Sequence, residues 1–372
     1  MKILHYISGL GRELGGTVTS VINLCTAMAE HGDDITVLTA DVSSRPVEWA
    51  AQKVELRHIG GHWMSPRSSV DPHALREFDV VHLHSIWDPH AVRIARTARK
   101  AGTPYIVSPR GTLDAWALRQ SRLKKQLQLA VVGRRVVQHA ALLHFTAQGE
   151  LDQATRAVRF GAARIVPNVV ELTSQSPPRQ PVEGLRILFL SRLHPKKGAS
   201  ELIRSLPLVS AASGAVRLVV AGPDEGGHAA TLHRLVDDLG LTTSVSFPGE
   251  VAGPQKAELF ASADVFVLPT YSENFGHVIF EAMNAGLPVV TTRNVDLWPE
   301  LEASGGVVLS DLDPRSLAPA INGLLNDELT RVSMGATGRE WVRTYLDRAR
   351  LTAEYATMYA RAADGRPIEA AR

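Results

Sequence analysis

The sequence predicts an α/β protein of two domains, each built on an open parallel sheet, and three observations predict it. Short apolar runs alternate with longer amphipathic stretches along the chain, which is the pattern of repeated βα units. Those runs are continuous rather than alternating, as strands covered on both faces require. The length of 372 residues exceeds one ordinary core. In the first half, strands are expected near 2–7, 35–39, 53–58, 79–84, 104–108 and 141–146. A second series is expected near 186–191, 216–221, 244–247, 264–268, 287–291 and 306–309. Between them, residues 171–184 carry prolines and small polar residues and read as an interdomain linker. The domains therefore span 1–170 and 185–345, both Rossmann-like. No short-period repeat or low-complexity tract interrupts them. Ligands of such sheets lie outside the carboxyl ends of the strands, so two domains facing one another make a cleft.

Composition narrows the function classes. Forty basic residues against 38 acidic ones leave a net charge of +2, which argues against a nucleic-acid binder held by a broad basic face. The single cysteine, Cys25, permits neither an internal disulfide nor a multi-cysteine metal site, and fits a reducing compartment. The apolar run after Met1 ends at Ser8-Gly9, too short for a signal segment, and nowhere do about 18 apolar residues run together. A cytoplasmic protein is the expectation.

The segment from Pro269 to Thr291 is the most informative. Asp264 to Leu268 reads as a buried strand, Pro269 stops it, and an apolar pattern at helical spacing resumes from Val278. Glu273 precedes the intervening glycine turn and Glu281 follows it. Gly276 lets the backbone approach a ligand, and the free N–H groups at the helix start offer an anion site. Glu281, about one turn into the helix, points back toward the helix start, so both carboxylates can face one ligand.

This context, Ser272-Glu273-Asn274-Phe275-Gly276 followed by Glu281-Ala282-Met283-Asn284-Ala285-Gly286-Leu287-Pro288, resembles the signature of the family 4 (group 1) retaining glycosyltransferases. The likeness extends to Ser191-Arg192-Leu193 with Lys197-Gly198, to Gly15-Gly16, and to Asp79-Val80-Val81-His82-Leu83-His84, nearly the whole chain. It implies the GT-B fold, with a last helix near 346–362 and the segment 346–372 returning to the first domain. It also implies a nucleoside diphosphate sugar as donor, no metal or other cofactor, and a glycan or lipid-linked acceptor. The resemblance assigns Glu273 to the transferred sugar and Glu281 to the ribose, with Asn274, Phe275 and Gly276 in the same donor site. Phe247-Pro248-Gly249-Glu250-Val251 is similar to the family loop that lies against the nucleobase, which places Glu250 and Val251 there.

Other residues are read on their chemistry. Arg192 and Lys197 follow a strand, where cleft-facing cations stabilise the negative charge of a departing diphosphate. The family pattern favours Lys197 over Lys196 because it stands directly before Gly198. Gly15-Gly16 precedes a helix from Val18 and is better explained as a donor-binding loop presenting N–H groups to a phosphate or sugar than as a tight βα turn alone. A dinucleotide fingerprint would need glycine where Leu14 stands. His82 and His84 share one face of a strand, and a metal reading needs a third ligand that is not evident locally. His82 is read as structural, whereas His84, at the strand's carboxyl end, matches the family position from which a histidine approaches the sugar. Many members of the family carry histidine where Arg110 stands, a departure that makes Arg110 a candidate for an acidic acceptor or the phosphate. Trp116 is a candidate for stacking on a sugar acceptor, or is core. Asp311-Leu312-Asp313 spells a metal-binding tripeptide of another fold, but Asp313 before Pro314 is fully explained as a helix cap. The basic stretch 117–135 reads as a solvated helix face, or as a membrane-surface helix that reaches a lipid-linked acceptor at the inner face of the membrane.

The function expected is transfer of a hexose to a hydroxyl acceptor with retention. A phosphorylase or sucrose-synthase-like activity is the alternative within the fold. A non-catalytic binding subunit is the alternative outside enzymes, and the intact Glu273, Glu281, Arg192 and Lys197 argue against it. A Rossmann oxidoreductase comes last.

Overall fold

The computed structural model describes residues 1–11, 15–41, 46, 49, 54–59, 71–86, 88–113, 133–172, 184–212 and 214–365. Contacts divide the chain into two compact units, Met1–Glu171 with Leu346–Arg372, and Leu172–Tyr345.

In the first unit the strands are β1 (Lys2–Ile7), β2 (Asp34–Thr39), β3 (Val54–His58), β4 (Val80–Leu83), β5 (Tyr105–Val107), β6 (Leu142–Phe145) and β7 (Ala163–Ile165). They form one parallel sheet in the order β3-β2-β1-β4-β5-β6-β7. The helices around it are α1 (Gly16–His31), α2 (Pro72–Leu75), α3 (Pro89–Ala101), α4 (Arg134–Gln138), α5 (Gln148–Ala157) and the C-terminal α13 (Arg348–Ala363). Local chemistry sets their ends. Asp88 and Asp71 accept the N–H groups of His90 and His73 with proline at the next position, and Gly32 and Gly102 close α1 and α3 in the left-handed conformation. β7 was not expected from sequence: three half-buried residues, Ala163-Arg164-Ile165, are too short and too mixed to read as an apolar run.

In the second unit β8 (Leu185–Leu190), β9 (Val216–Ala221), β10 (Val245–Gly249), β11 (Val265–Leu268), β12 (Val289–Thr292) and β13 (Val307–Ser310) form a parallel sheet ordered β10-β9-β8-β11-β12-β13. Its helices are α6 (Ala199–Ser205), α7 (His228–Asp238), α8 (Gly253–Ser262), α9 (His277–Asn284), α10 (Trp298–Ala303), α11 (Pro314–Asn326) and α12 (Glu328–Tyr345). Asp313 caps α11, its carboxylate accepting from Arg315 N at 3.0 Å, so the tripeptide ending there acts as a helix start. Among the described residues no helix is long and apolar enough to cross a membrane. The segment 117–132 lies outside the described residues; Arg134 and Arg135 open α4 and are exposed.

α13 docks on the first unit through Leu351, Tyr355, Met358 and Tyr359, all fully buried. Two of these carry hydroxyls, which burial makes costly unless they are bonded. Tyr359 Oη lies 2.9 Å from His82 Nδ1 and Tyr355 Oη lies 3.2 Å from His144 Nε2. Tyr359→Phe keeps the packing but leaves a buried imidazole nitrogen unsatisfied, at a cost of about 1–3 kcal/mol. Thermal unfolding is expected to fall by a few degrees, and an unchanged midpoint would show that the bond is not used.

Candidate active site

Each sheet reverses its strand order at one point, and loops leaving the strands there open a crevice. In the second unit the reversal falls between β8 and β11. The loop after β8 carries Arg192 and Lys197, and the loop after β11 carries Glu273. What joins them is a close backbone approach. Gly198 has φ 75°, and a Cβ there would stand 1.8 Å from the carbonyl oxygen of Pro269, so only glycine fits. The carbonyl of Lys196 accepts from Tyr271 N at 2.8 Å and from Thr270 Oγ1 at 3.0 Å. Latched this way, Lys197 Nζ donates to Glu273 Oε2. The two side chains are 11% and 17% exposed, enough burial for the pair to feel a low dielectric. Glu273 is held from its other side as well: its N–H donates to Asn294 O at 3.0 Å and its carbonyl accepts from Asp296 N at 2.8 Å. Burial pushes its carboxyl pKa up, but the charges of Lys197, Lys196 and His277 outweigh burial and hold it below the ordinary carboxylate value.

The rest of the signature surrounds this pair. Gly276 caps α9 at φ 71°, and a Cβ there would press on Ile279 Cδ1 at 3.0 Å and on Glu273 Cγ at 3.2 Å. Asn274 Nδ2 donates to Asp296 Oδ2 at 3.1 Å. Phe275 is buried and packs against Phe280 with the rings tilted at 32°, anchoring the turn to α9. Glu281 pairs with Lys256 of α8 at 2.6 Å, and Arg192 pairs with Glu225 at 2.7 Å. Glu250 is exposed and Val251 half-buried just beyond β10.

In the first unit the reversal falls between β1 and β4. Gly15 follows β1 with φ 85° and ψ −156°, a conformation that requires glycine, and caps α1 from Gly16. His84 follows β4 and is 3% exposed. Its Nδ1 accepts from Arg110 Nε at 3.3 Å and Nη2 at 3.2 Å, and its Nε2 lies 3.0 Å from His5 Nδ1. His84 thus accepts from Arg110 on one side of its ring and meets His5 on the other. Arg110 is the one non-glycine residue with positive φ among the described residues, 52°. Its Nη1 donates to Asn168 Oδ1 at 3.0 Å, and the next residue, Gly111, donates its N–H to the buried Glu150 at 2.8 Å. Among the described residues Arg110 makes no ion pair. Neutral partners, His84 and Asn168, thus brace a guanidinium on a residue in a sparsely populated backbone conformation.

Fixed ends decide the histidine tautomers. His144 Nε2 faces the Val166 carbonyl at 2.9 Å and must carry its proton there, so Nδ1 accepts from Ser108 Oγ at 2.6 Å. Ser108 then accepts from His82 Nε2 at 2.7 Å, and His82 Nδ1 accepts from Tyr359. The structure supplies the third imidazole that the sequence did not show: nitrogens of His5, His82 and His84 lie within 4.8 Å of one another. Arg110, always charged, donates to His84 Nδ1, so the proton of the neutral ring sits on Nε2, the nitrogen that faces His5. Both nitrogens of His82 are engaged with Ser108 and Tyr359. His5 Nε2, by contrast, is buried and has no hydrogen-bond partner among the described residues. Burial first, and the Arg110 charge second, lower the pKa of His5 and His144 to about 3. His82 and His84 are also held well below the usual value, again chiefly by burial.

Sequence reasoning missed His5, His144, Asn168, Lys256 and Glu225. For His5 a signal existed, because a histidine inside the apolar run Ile3-Leu4-His5-Tyr6-Ile7 must find a polar partner. Trp116 and Leu14 lie outside the described residues.

Two family models match the chain. One described as "Glycosyl transferase 4-like domain" matches residues 15–169, and one described as "Glycosyl transferases group 1" matches residues 173–341. The chain is 29% identical over 354 residues, 89% of each chain, to the phosphatidyl-myo-inositol mannosyltransferase of Mycobacterium leprae. It is 26% identical over 338 residues, 87% of each chain, to the GDP-mannose:cellobiosyl-diphosphopolyprenol alpha-mannosyltransferase of Xanthomonas campestris. Its fold matches that of Anabaena HepE, solved in complex with UDP and glucose, with a TM-score of 0.77 and 19% identity over 97% of this chain and 99% of that one. Signature, switch-point geometry and these matches agree: the chain belongs to the family 4 (group 1) glycosyltransferases of the GT-B fold.

Proposed function

We propose that this glycosyltransferase moves a hexose from a nucleoside diphosphate sugar to a hydroxyl of a lipid-linked or polysaccharide acceptor, with retention and without a metal. The observation that carries the proposal is the Lys197–Glu273 pair at the switch point of the second unit, with Arg192 on the same loop as Lys197. As the bond from the sugar to the diphosphate breaks, negative charge grows on the leaving oxygen, and Lys197 and Arg192 stabilise it where a metal would otherwise act. Glu273 lies against the sugar face on which positive character develops. The leaving phosphate oxygen takes the proton of the acceptor hydroxyl as that hydroxyl forms the new bond on the same face, so no separate base is used. Glu281 holds the ribose, and Glu250 and Val251 border the base.

The first unit contributes the acceptor side. Arg110 binds an acidic group of the acceptor or a donor phosphate, with His84 and Asn168 as positioning residues. The relatives' printed names include phosphatidyl-myo-inositol and a diphosphopolyprenol, which supports a phosphate-bearing lipid acceptor. Such an acceptor makes the work peripheral to the inner face of a membrane, with the basic stretch of sequence 117–135 as the part of the chain that meets it.

A thermal-shift panel tests the donor reading. UDP, GDP, ADP and CMP are added without magnesium, with NAD as control. A ligand held only by the folded state contributes about 2.7 kcal/mol at one hundred times its Kd. One nucleoside diphosphate is expected to raise the midpoint by several degrees and so fix the base. A shift with NAD alone, or with none, overturns the metal-independent donor site.

A further inference from the structure

Lys256 is a charge beside the donor residues that belongs to no motif. Lys256 Nζ lies 2.6 Å from Glu281 Oε2, and the two side chains are 31% and 30% exposed. An ion pair that open to water contributes little to stability, so holding the fold together does not explain it. Its position is more telling. α8 starts at Gly253, two residues past Val251, and Lys256 reaches from its first turn to α9. It thereby ties the segment after β10 to the carboxylate in the second turn of the signature helix.

A carboxylate that recognises a ribose must stay ionised and keep its oxygens aimed, because each hydroxyl donates to an oxygen lone pair. A glutamate without a tether loses side-chain freedom on binding, roughly 0.5–1.5 kcal/mol for such a side chain. One Lys256 bond to Oε2 removes most of that freedom beforehand and leaves Oε1 and the second lone pair of Oε2 for hydroxyls. We propose that Lys256 is a positioning residue that aims Glu281 and thereby sets discrimination between ribose and 2′-deoxyribose donors. This rests on the reading of Glu281 as the ribose contact.

The test measures Kd by calorimetry for UDP and 2′-deoxy-UDP, and in parallel for GDP and 2′-deoxy-GDP, on wild type, Lys256→Met, Lys256→Arg and Glu281→Gln. For the base that binds, Lys256→Met is expected to reduce the ratio of 2′-deoxy to ribose Kd by roughly 3- to 10-fold, the fold-change equivalent of fixing one side chain. Lys256→Arg is expected to restore most of it, with unfolding midpoints of the free variants unchanged. If Lys256→Met weakens both sugars equally, or changes neither, the positioning role is overturned. If Glu281→Gln leaves the ratio unchanged, the ribose reading of Glu281 fails and takes the role of Lys256 with it. If Glu281→Gln lowers the ratio and Lys256→Met does not, only the Lys256 proposal falls.

Discussion

Glu273→Gln is expected to lose roughly 10²- to 10³-fold in turnover, the range for removing one preorganised electrostatic group from an active site, while nucleotide affinity stays near wild type. The substitution is nearly isosteric, so the latch between the two loops, made by the Lys196 carbonyl with Thr270 and Tyr271, is untouched. What changes is charge. Lys197, 11% exposed, loses the carboxylate it donates to, and in the proposed mechanism the sugar face loses the anion that favours positive character at the reacting carbon. A freed Lys197 still meets the diphosphate, so binding of the nucleotide alone is retained. Equal losses in turnover and nucleotide affinity would place Glu273 on the nucleotide and sink the assigned role.

The same substitution has a signature in acid. Although burial alone would raise it, the Glu273 carboxyl is held below its ordinary value by Lys197, Lys196 and His277. A group depressed in the folded state adds stability above its unfolded value and loses that contribution as pH falls through the folded value. The stability gap between wild type and Glu273→Gln is therefore expected to be full at neutral pH and to close in acid below the usual carboxylate range.

Much of this was legible in the sequence because it is local. Continuous apolar runs gave every strand but β7 to within about two residues, and the cap at Asp313 could be read from Asp and Pro alone. The signature places Glu273 and Gly276 in the loop and Glu281 on the helix of a strand-loop-helix, as the structure does. What stayed hidden depends on residues far apart in the chain. Nothing near Lys256 announces Glu281, nothing near Glu225 announces Arg192, and the third imidazole beside His82 and His84 comes from β1. His84 shows the limit most clearly. Its place at the end of β4 was readable, but the engagement of its ring by Arg110 and His5 is a tertiary fact.

Gly198→Ala is expected to damage both stability and turnover, and a second alanine separates the reasons. The left-handed conformation at φ 75° costs an L-residue about 1–2 kcal/mol. At Gly32, with φ 103° and no atom within 4 Å of an added Cβ, a backbone cost of that kind is all that applies. At Gly198 the Cβ would also meet the Pro269 carbonyl oxygen at 1.8 Å and its carbon at 2.8 Å. Neither atom belongs to a side chain that can rotate away, so the loop after β8 must lift from the end of β11. Lys197 lifts with it and leaves Glu273. For a unit of this size each kcal/mol lowers the midpoint by about 2–4 °C. Gly32→Ala is therefore expected to lower the midpoint by a few degrees with full turnover at temperatures where it is folded. Gly198→Ala is expected to fall further and to lose turnover under conditions where it remains folded. Equal effects of the two alanines on turnover would mean that the Pro269 approach does not place Lys197, and that the pair with Glu273 forms without it.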